Sequence, residues 1–329
     1  MNGQRRVWAI ACTLAMIVTV TALSIGARTP VPVAATAGIL VEDMTLDAAG
    51  RLWLVGIDGA WRYDPAEERL EPMPIDGKTP YVRCIAAGAN GEIWLGSDED
   101  GAYRFDGRSF ERCPDEADLR GSCVFDLAIG ADGALWLGTD WGLTHVDNDA
   151  CTSYGLEDGL PSRGVWAIAL SPTGEPWLGT AEFGPYIGGA VVWRDGAWIR
   201  YGTEDGLPGN DVKEIAAMQD GTVWAATYYG LAHFDGASWT VEGQEGLSGV
   251  VVGALAVDRE DAIWVATSSD VWCRPVGGTS WTLISAAPAW PTSIRAFAFE
   301  EDGTVWMAAL GSSSTEPCIY VLPADETDD

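Results

Sequence analysis

The chain has 329 residues, with 19 lysines and arginines against 48 aspartates and glutamates, which gives a formal net charge of −29. A surface this acidic repels a phosphate backbone, and a nucleic-acid-binding function is excluded on that ground. Hydrophobic residues make up 47% of the chain and charged residues 20%, a composition typical of a packed globular protein and not of a disordered acidic one.

The first 28 residues are predicted to direct export. Arg5 and Arg6 precede an uncharged run from Val7 to Ala27, which is the arrangement of a secretory signal peptide. The run is also long enough to remain as a membrane anchor. In either case the rest of the chain is predicted to be periplasmic or extracellular. Residues 29–38 are predicted to form a linker or a closing strand.

Seven repeats dominate residues 39–322. Each repeat contains a tryptophan within an apolar segment, and the spacing of these tryptophans is near 40 residues: Trp53, Trp94, Trp136, Trp177, Trp224, Trp264 and Trp306. A valine or isoleucine lies twelve positions before each tryptophan, and a glycine or aspartate suited to a tight turn lies three positions before it. This period fits the four short strands of a propeller blade. The sequence therefore predicts an all-β fold, a single seven-bladed β-propeller.

The last repeat is shorter than the others. After residue 322 only an acidic tail, residues 323–329, remains, and the outer strand of this repeat is missing. The segment from Val31 to Ala35 is predicted to supply that strand and to close the ring by pairing with the last repeat.

Six cysteines follow the leader, which is compatible with disulfides in an exported protein. Many pairings are conceivable, and the one that we predict joins Cys113 to Cys123 across a polar loop. None of the cysteines has the spacing of a metal or redox site, and nucleotide, zinc and calcium motifs are missing. No cofactor and no metal is therefore predicted.

The repeats resemble a known family. Segments such as VWAIALSPTGEPWLGT (165–180) and VKEIAAMQDGTVWAAT (212–227), together with YGTEDGLPGNDV (201–212), are similar to the two-component regulator propeller repeat. The resemblance implies an extracellular propeller of the kind that senses glycans in bacterial hybrid sensor kinases and passes the signal through a membrane helix to a kinase. Because the repeats end close to the end of this chain, we expect the signalling output to lie in a membrane partner.

One position differs from repeat to repeat, whereas its neighbours are uniform. It lies eleven residues before each tryptophan and is occupied by Glu42, Arg83, Phe125, Trp166, Lys213, Gly253 and Arg295. In a propeller this position, early on the inner strand, is close to the mouth of the central channel, where ligands commonly bind. Aromatic rings there can stack on a ligand, and cations can pair with its negative groups.

The loops between second and third strands are predicted to share this face. Two of them, residues 181–189 and 310–317, are enlarged, and insertions confined to one face of a repeat protein are frequently on its binding face. The predicted ligand-binding residues are Arg83, Phe125, Trp166, Lys213 and Arg295 on the inner strands, and Trp141, Tyr186 and Tyr228 in the loops. The predicted ligand is a carbohydrate with acidic groups or a peptide.

Other interpretations stay open at this point. The same side chains could form contacts between blades, with Asp43, Asp126 and Glu214, one position further on, as partners of the cations. The flat face could instead dock a protein. A third alternative is a propeller lyase similar to the streptogramin lyases, but His145 and His233 occupy a third-strand position away from the mouth, and we predict no catalysis. Acidic residues are too abundant for the sequence to exclude a glycosidase.

Overall fold

The computed structural model describes residues 29–113, 119–148, 150–182, 184–286, 293–309 and 316–324. The leader, most of the loop 310–317 and most of the acidic tail lie outside these ranges, and the predictions about them stay predictions. Within the described residues the strands form seven four-stranded sheets. The predicted seven-bladed β-propeller is confirmed.

Each blade is an antiparallel meander of four strands. The inner strands are β2 (Val41–Leu46), β6 (Val82–Ala87), β10 (Val124–Ile129), β14 (Val165–Leu170), β18 (Val212–Ala217), β22 (Val252–Val257) and β26 (Ile294–Phe299). The second strands are β3 (Leu52–Gly56), β7 (Ile93–Ser97), β11 (Leu135–Thr139), β15 (Pro176–Thr180), β19 (Val223–Thr227), β23 (Ile263–Thr267) and β27 (Val305–Ala309).

The two remaining layers lie further from the channel. The third strands are β4 (Gly59–Asp64), β8 (Ala102–Phe105), β12 (Gly142–Asp147), β16 (Gly189–Arg194), β20 (Gly230–Phe234), β24 (Asp270–Arg274) and β28 (Ile319–Leu322). The outer strands are β5 (Arg69–Met73), β9 (Phe110–Arg112), β13 (Ala150–Tyr154), β17 (Ala197–Tyr201), β21 (Trp239–Val241), β25 (Thr282–Ala286) and, in the seventh blade, β1 (Val31–Pro32).

Helical structure is limited to single 3-10 turns in the part of the chain that the structure describes. These turns are Ala34–Thr36, Leu156–Asp158 and Thr203–Asp205. None of the described helices has the length and apolar character that crossing a membrane requires.

The inner strands form a closed ring. Each packs against the inner strand of the next blade, and β26 of the last blade packs against β2 of the first. The strand β1 pairs antiparallel with β28, with Val31 opposite Val321. The seventh blade therefore contains strands from both ends of the propeller, and the segment expected to close the ring does so.

Hydrogen bonds extend this closure beyond the two residues of β1. The buried hydroxyl Oγ1 of Thr36 donates to the carbonyl oxygen of Val33 (2.7 Å) and accepts from the backbone N–H of Ile319 (3.2 Å). The N–H of Val33 donates to the carbonyl of Ile319 (2.8 Å), and Sγ of Cys318 donates to the carbonyl of Thr36 (3.3 Å). We call residues 31–36 and their contacts with β28 the closing clasp.

The tryptophans that mark the repeats pack between blades. Trp53 is buried, and its ring lies 4.9 Å from that of Phe105 and 5.8 Å from that of Phe110 in the next blade. In three blades the indole N–H also donates to a carboxylate six positions earlier: Trp53 to Asp47 (2.9 Å), Trp264 to Asp258 (2.7 Å) and Trp306 to Glu300 (2.6 Å). These tryptophans therefore join the core between blades to the hairpin that precedes their own strand.

Replacing Asp258 with alanine is expected to lower the free energy of unfolding by about 1–3 kcal/mol. Besides the indole of Trp264, the carboxylate accepts the backbone N–H groups of Ala262 (2.8 Å) and Glu260 (3.0 Å). The indole N–H is buried and would lose its acceptor. Urea unfolding measures the loss, and Glu260→Ala, an exposed side chain in the same hairpin, is the control. Equal losses for the two variants would contradict the prediction.

The predicted Cys113–Cys123 disulfide is wrong, because both residues are thiols in the structure. Sγ of Cys123 donates to Oδ1 of Asp98 (3.1 Å). Burial raises the pKa of Cys123 to about 12, and this hydrogen bond adds to the rise. Cys113 packs instead against a separate apolar cluster that includes Leu127 and Leu137. The two thiols therefore lie in different local environments.

Candidate functional site

Every inner strand contains a β-bulge at the same position. In the first blade Val41 pairs with Gly56 but Asp43 pairs with Val55, which makes Glu42 the extra residue. The same shift occurs in the other six blades, at Arg83, Phe125, Trp166, Lys213, Gly253 and Arg295. The position that varies in the sequence is therefore the bulge residue of all seven blades.

Two of the bulge residues contact the loops between second and third strands. Arg83 forms an ion pair with Asp98 in one of these loops, and Nζ of Lys213 lies 4.6 Å from the ring centroid of Tyr228 in another. Arg295 is exposed, and the side chains of the other bulge residues are partly exposed. We call this end of the channel, formed by the bulge residues and these loops, the mouth.

Aromatic and cationic side chains form a continuous row along the mouth from the first blade to the fourth. Oη of Tyr81 donates to Oε1 of Glu42 (3.2 Å). The guanidinium carbon of Arg83 lies 4.9 Å from the ring centroid of Tyr81 and 5.5 Å from that of Phe125. The ring centroid of Phe125 is in turn 6.4 Å from that of Trp166. Three predicted site residues, Arg83, Phe125 and Trp166, are thus brought together. We call these three residues the aromatic row.

The predicted loop residues Trp141 and Tyr186 both contact Arg163, which our sequence analysis did not single out. The guanidinium carbon of Arg163 is 4.2 Å from the ring centroid of Trp141 and 5.3 Å from that of Tyr186. A signal was present in the sequence: the related segments GLPSRGV (159–165) and GLPGNDV (206–212) differ at this position, with arginine in one and asparagine in the other.

Lys213 and Arg295 lie on the other side of the ring, in the fifth and seventh blades. Within the described residues no ring contact, ion pair or hydrogen bond joins them to the aromatic row. Between them lies the bulge of the sixth blade, Gly253, where a Cβ atom would be 2.7 Å from the carbonyl oxygen of Ile294. Only glycine fits so close to this carbonyl oxygen. The ring of bulge side chains is therefore interrupted between Lys213 and Arg295.

Asp43 and Asp126 do not pair with the cations of the mouth, which corrects the expectation from the sequence. Oδ2 of Asp43 accepts the backbone N–H of Ile85 in the next blade (2.9 Å), and Oδ2 of Asp126 accepts that of Ile168 (2.6 Å). The other oxygen of each carboxylate accepts the N–H of the residue that follows it, at 2.8 and 2.7 Å. Both carboxylates are therefore engaged by the backbone and link adjacent blades.

Together with Glu214, these carboxylates form a set of three acids with raised pKa on the inner strands. Burial is the main cause, and it raises the pKa of Asp43 to about 6, that of Asp126 to about 7 and that of Glu214 to about 8. Their mutual repulsion adds to the rise for Glu214, against which Lys213 and Arg295 act. Glu214 is therefore mostly neutral at pH 7 and leaves the charges of these two cations unneutralised.

The two histidines lie on third strands, away from the mouth. The ring of His145 stacks on Trp136 with centroids 3.9 Å apart, and that of His233 lies 4.9 Å from Trp224. Burial lowers the pKa of both histidines. Arginines lie over the tryptophan in the same register of two other blades. The histidines therefore act as packing partners of the blade tryptophans.

No protein-family model and no curated protein matches the sequence. Among solved structures, the extracellular domain of BT4673 from B. thetaiotaomicron, described as a hybrid two-component system, is similar with a TM-score of 0.73 at 15% identity, over 91% of this chain and 43% of that chain. The corresponding domain of BT3049 has a TM-score of 0.66 at 18% identity, over 87% and 40%. A streptogramin B lyase has a TM-score of 0.66 at 13% identity, over 89% and 96%.

These likenesses bear out the resemblance at the level of the fold. The protein is a β-propeller like those of extracellular sensor domains. It spans less than half the length of the two sensor chains. The lyase shows that a catalytic protein can have the same fold. The fold therefore does not distinguish recognition from catalysis, and the distinction has to come from the residues of the site.

Proposed function

We propose that this protein is an exported, sensor-like propeller that recognises a ligand at its mouth without transforming it. The observation that carries the proposal is the aromatic row, in which the rings of Phe125 and Trp166 lie beside the cation Arg83 at the mouth. Ring faces of this kind stack on the apolar faces of sugars. The proposed ligand is therefore a carbohydrate.

The chemistry of the mouth favours recognition over catalysis. A general acid or base must reach the substrate. The two histidines are packed against blade tryptophans. Both oxygens of Asp43 and of Asp126 accept backbone N–H groups, one from the next blade and one from the same strand. A lyase that needs a histidine is therefore a weaker interpretation of this mouth, and Asp43 and Asp126 are poor candidates for the two carboxylates of a glycosidase.

Signal output belongs to the same proposal. The structural neighbours BT4673 and BT3049 are extracellular domains of two-component systems. By analogy, a ligand-bound mouth would be read by a membrane partner that contacts the propeller. A protein-docking scaffold without a small ligand is the alternative, and it predicts that no sugar binds.

Trp166→Ala and Phe125→Ala are each expected to weaken ligand binding about tenfold, which corresponds to about 1.4 kcal/mol. The measurement is the rise in Tm of the parent with a panel of acidic and neutral oligosaccharides and short peptides, repeated on the variants. Ile199→Ala, an exposed apolar residue on the outer strand β17, is the control and should bind like the parent. If no sugar raises the Tm of the parent, or if Ile199→Ala loses as much as the other variants, the recognition mouth is rejected.

A further inference from the structure

The arginines and lysines of this acidic chain are almost all neutralised by carboxylates. Within the described residues the exceptions, with no carboxylate oxygen within 4.0 Å, are Arg108, Arg163, Lys213 and Arg295. Arg108 lies in the turn between β8 and β9, and the other three lie at the mouth. Because acids outnumber bases by 48 to 19, unpaired cations at one place indicate a surface that receives an anion from outside.

Arg163 has the best defined surroundings of these cations. Its guanidinium carbon lies 4.2 Å from the ring centroid of Trp141 and 5.3 Å from that of Tyr186. Contact with a ring uses the face of the guanidinium plane, while the N–H donors point outward within that plane. No acceptor among the described residues takes these donors. They are therefore available for the fork-shaped pairing that arginine makes with carboxylates.

Hydrogen bonds of neighbouring residues hold this arrangement in place. Oγ of the buried Ser162 donates to the carbonyl of Ala181 (2.6 Å), which ties the segment before β14 to the enlarged loop that carries Tyr186. Nε of Arg120 donates to the carbonyl of Trp141 (3.0 Å) and fixes the loop on the other side. A ligand would therefore meet a preorganised surface, which lowers the entropic cost of binding.

The surroundings of Arg163 adjoin the aromatic row. A Cβ atom on Gly164 would lie 3.2 Å from Nε1 of Trp166, so the indole of Trp166 lies against the backbone next to Arg163. Trp141 is 49% exposed, which leaves ring surface for a ligand. A ligand with several linked rings can therefore contact the aromatic row and Arg163 at the same time.

We infer that Arg163, Trp141 and Tyr186 form a subsite for an anionic sugar residue, so that the ligand of the mouth is an oligosaccharide with carboxylate or sulfate groups. The inference rests on the proposed function and names its substrate class. The acid group accepts N–H donors of Arg163 while the sugar ring packs on Trp141. A neutral sugar residue would leave these donors without a partner.

The test compares acidic oligosaccharides with neutral derivatives of the same backbone. The probes are trimers of galacturonate, glucuronate and mannuronate with their carboxyl-reduced forms, and sulfated trisaccharides with their desulfated forms, titrated by calorimetry into the full chain. At least one acidic probe is expected to bind about tenfold or more tightly than its neutral form. Arg163→Gln should remove this preference, because it weakens the binding of the acidic probe far more than that of its neutral form. The control Arg108→Gln, an unpaired arginine away from the mouth, should keep the preference.

The outcomes separate this inference from the proposed function. Equal binding of acidic and neutral forms would reject the anionic subsite but leave sugar recognition at the mouth intact. Binding of no sugar of either kind would reject both. An equal loss of preference in Arg108→Gln and Arg163→Gln would show a general charge effect and would also reject the subsite. A preference for carboxylated or for sulfated probes identifies the acid group.

Discussion

Removal of the closing clasp is expected to destabilise the whole propeller and not only its seventh blade. A chain that begins at residue 39 lacks β1, leaves the seventh blade with three strands and exposes the edge of β28. It also uncovers Cys318 and Ile319, which pack with Val33 in one apolar cluster. Because the inner strands form one closed ring, a weakened seventh blade loosens both of its neighbours. The truncated chain should melt at least about 10 °C below a chain that begins at residue 29, or aggregate through the open edge.

The substitution Thr36→Val tests the same closure with the backbone intact. The N–H of Ile319 would lose its acceptor Oγ1 in a buried place, which is expected to cost about 1–3 kcal/mol of the free energy of unfolding. The control Thr240→Val changes an exposed threonine on β21 and should stay within about 0.5 kcal/mol of the parent. A truncated chain that melts with the longer one, together with a neutral Thr36→Val, would show that the ring does not depend on its clasp.

Raising the pH from 5 to 9 is expected to destabilise the folded protein, and Glu214→Gln is expected to remove part of this loss. The pKa of Glu214 is raised from 4.5 to about 8 on folding. Between these values the folded chain keeps a proton that the unfolded chain has released. The stabilisation is therefore complete below the unfolded pKa and is lost as the pH rises through the folded one. Asp43 and Asp126 act in the same direction at lower pH.

Comparison with the variant isolates the contribution of Glu214. Each unit of pKa corresponds to about 1.4 kcal/mol. Because Glu214 keeps some exposed surface, we expect the difference in free energy of unfolding between variant and parent to widen by about 1–3 kcal/mol from pH 5 to pH 9. The histidines, whose pKa is lowered, stabilise the fold as the pH rises through their range, but they do so in both proteins. Urea unfolding at pH 5, 7 and 9 measures the difference. Parallel curves for Glu214→Gln and the parent would contradict the assignment, and Glu260→Gln, an exposed glutamate, should run parallel.

The fold could be predicted because its signal is repeated along the chain. Seven tryptophans in the same register specify the number of blades, and the missing strand of the last repeat indicates how the ring closes. The variable position was also visible, but its bulge was not, because an apolar pattern does not reveal which residue leaves the strand pairing. The bonds of Asp43 and Asp126 to the next blade were missed for a related reason: their partners are backbone N–H groups, which residue types do not identify.

Contacts at the mouth could be predicted only in part. Loop position was enough to suggest Trp141 and Tyr186, but the residue that joins them, Arg163, lies in the connection between blades, where a single differing residue is a weak signal. Cysteine spacing suggested a disulfide, whereas the thiol of Cys123 donates a hydrogen bond to the carboxylate of Asp98. Both cases depend on side chains that are distant in the sequence and meet only after folding.

The bulge positions can vary in sequence without disturbing the strand pairing of the blades. A bulge residue contributes its side chain to the mouth while the strand pairing on either side is carried by its neighbours. Exchange of such residues can therefore alter the surface of the mouth with little loss of blade stability, except at Gly253, where the carbonyl oxygen of Ile294 leaves no room for a side chain. The six remaining positions are therefore suited to combinatorial libraries that select binding surfaces on this propeller without redesign of its core.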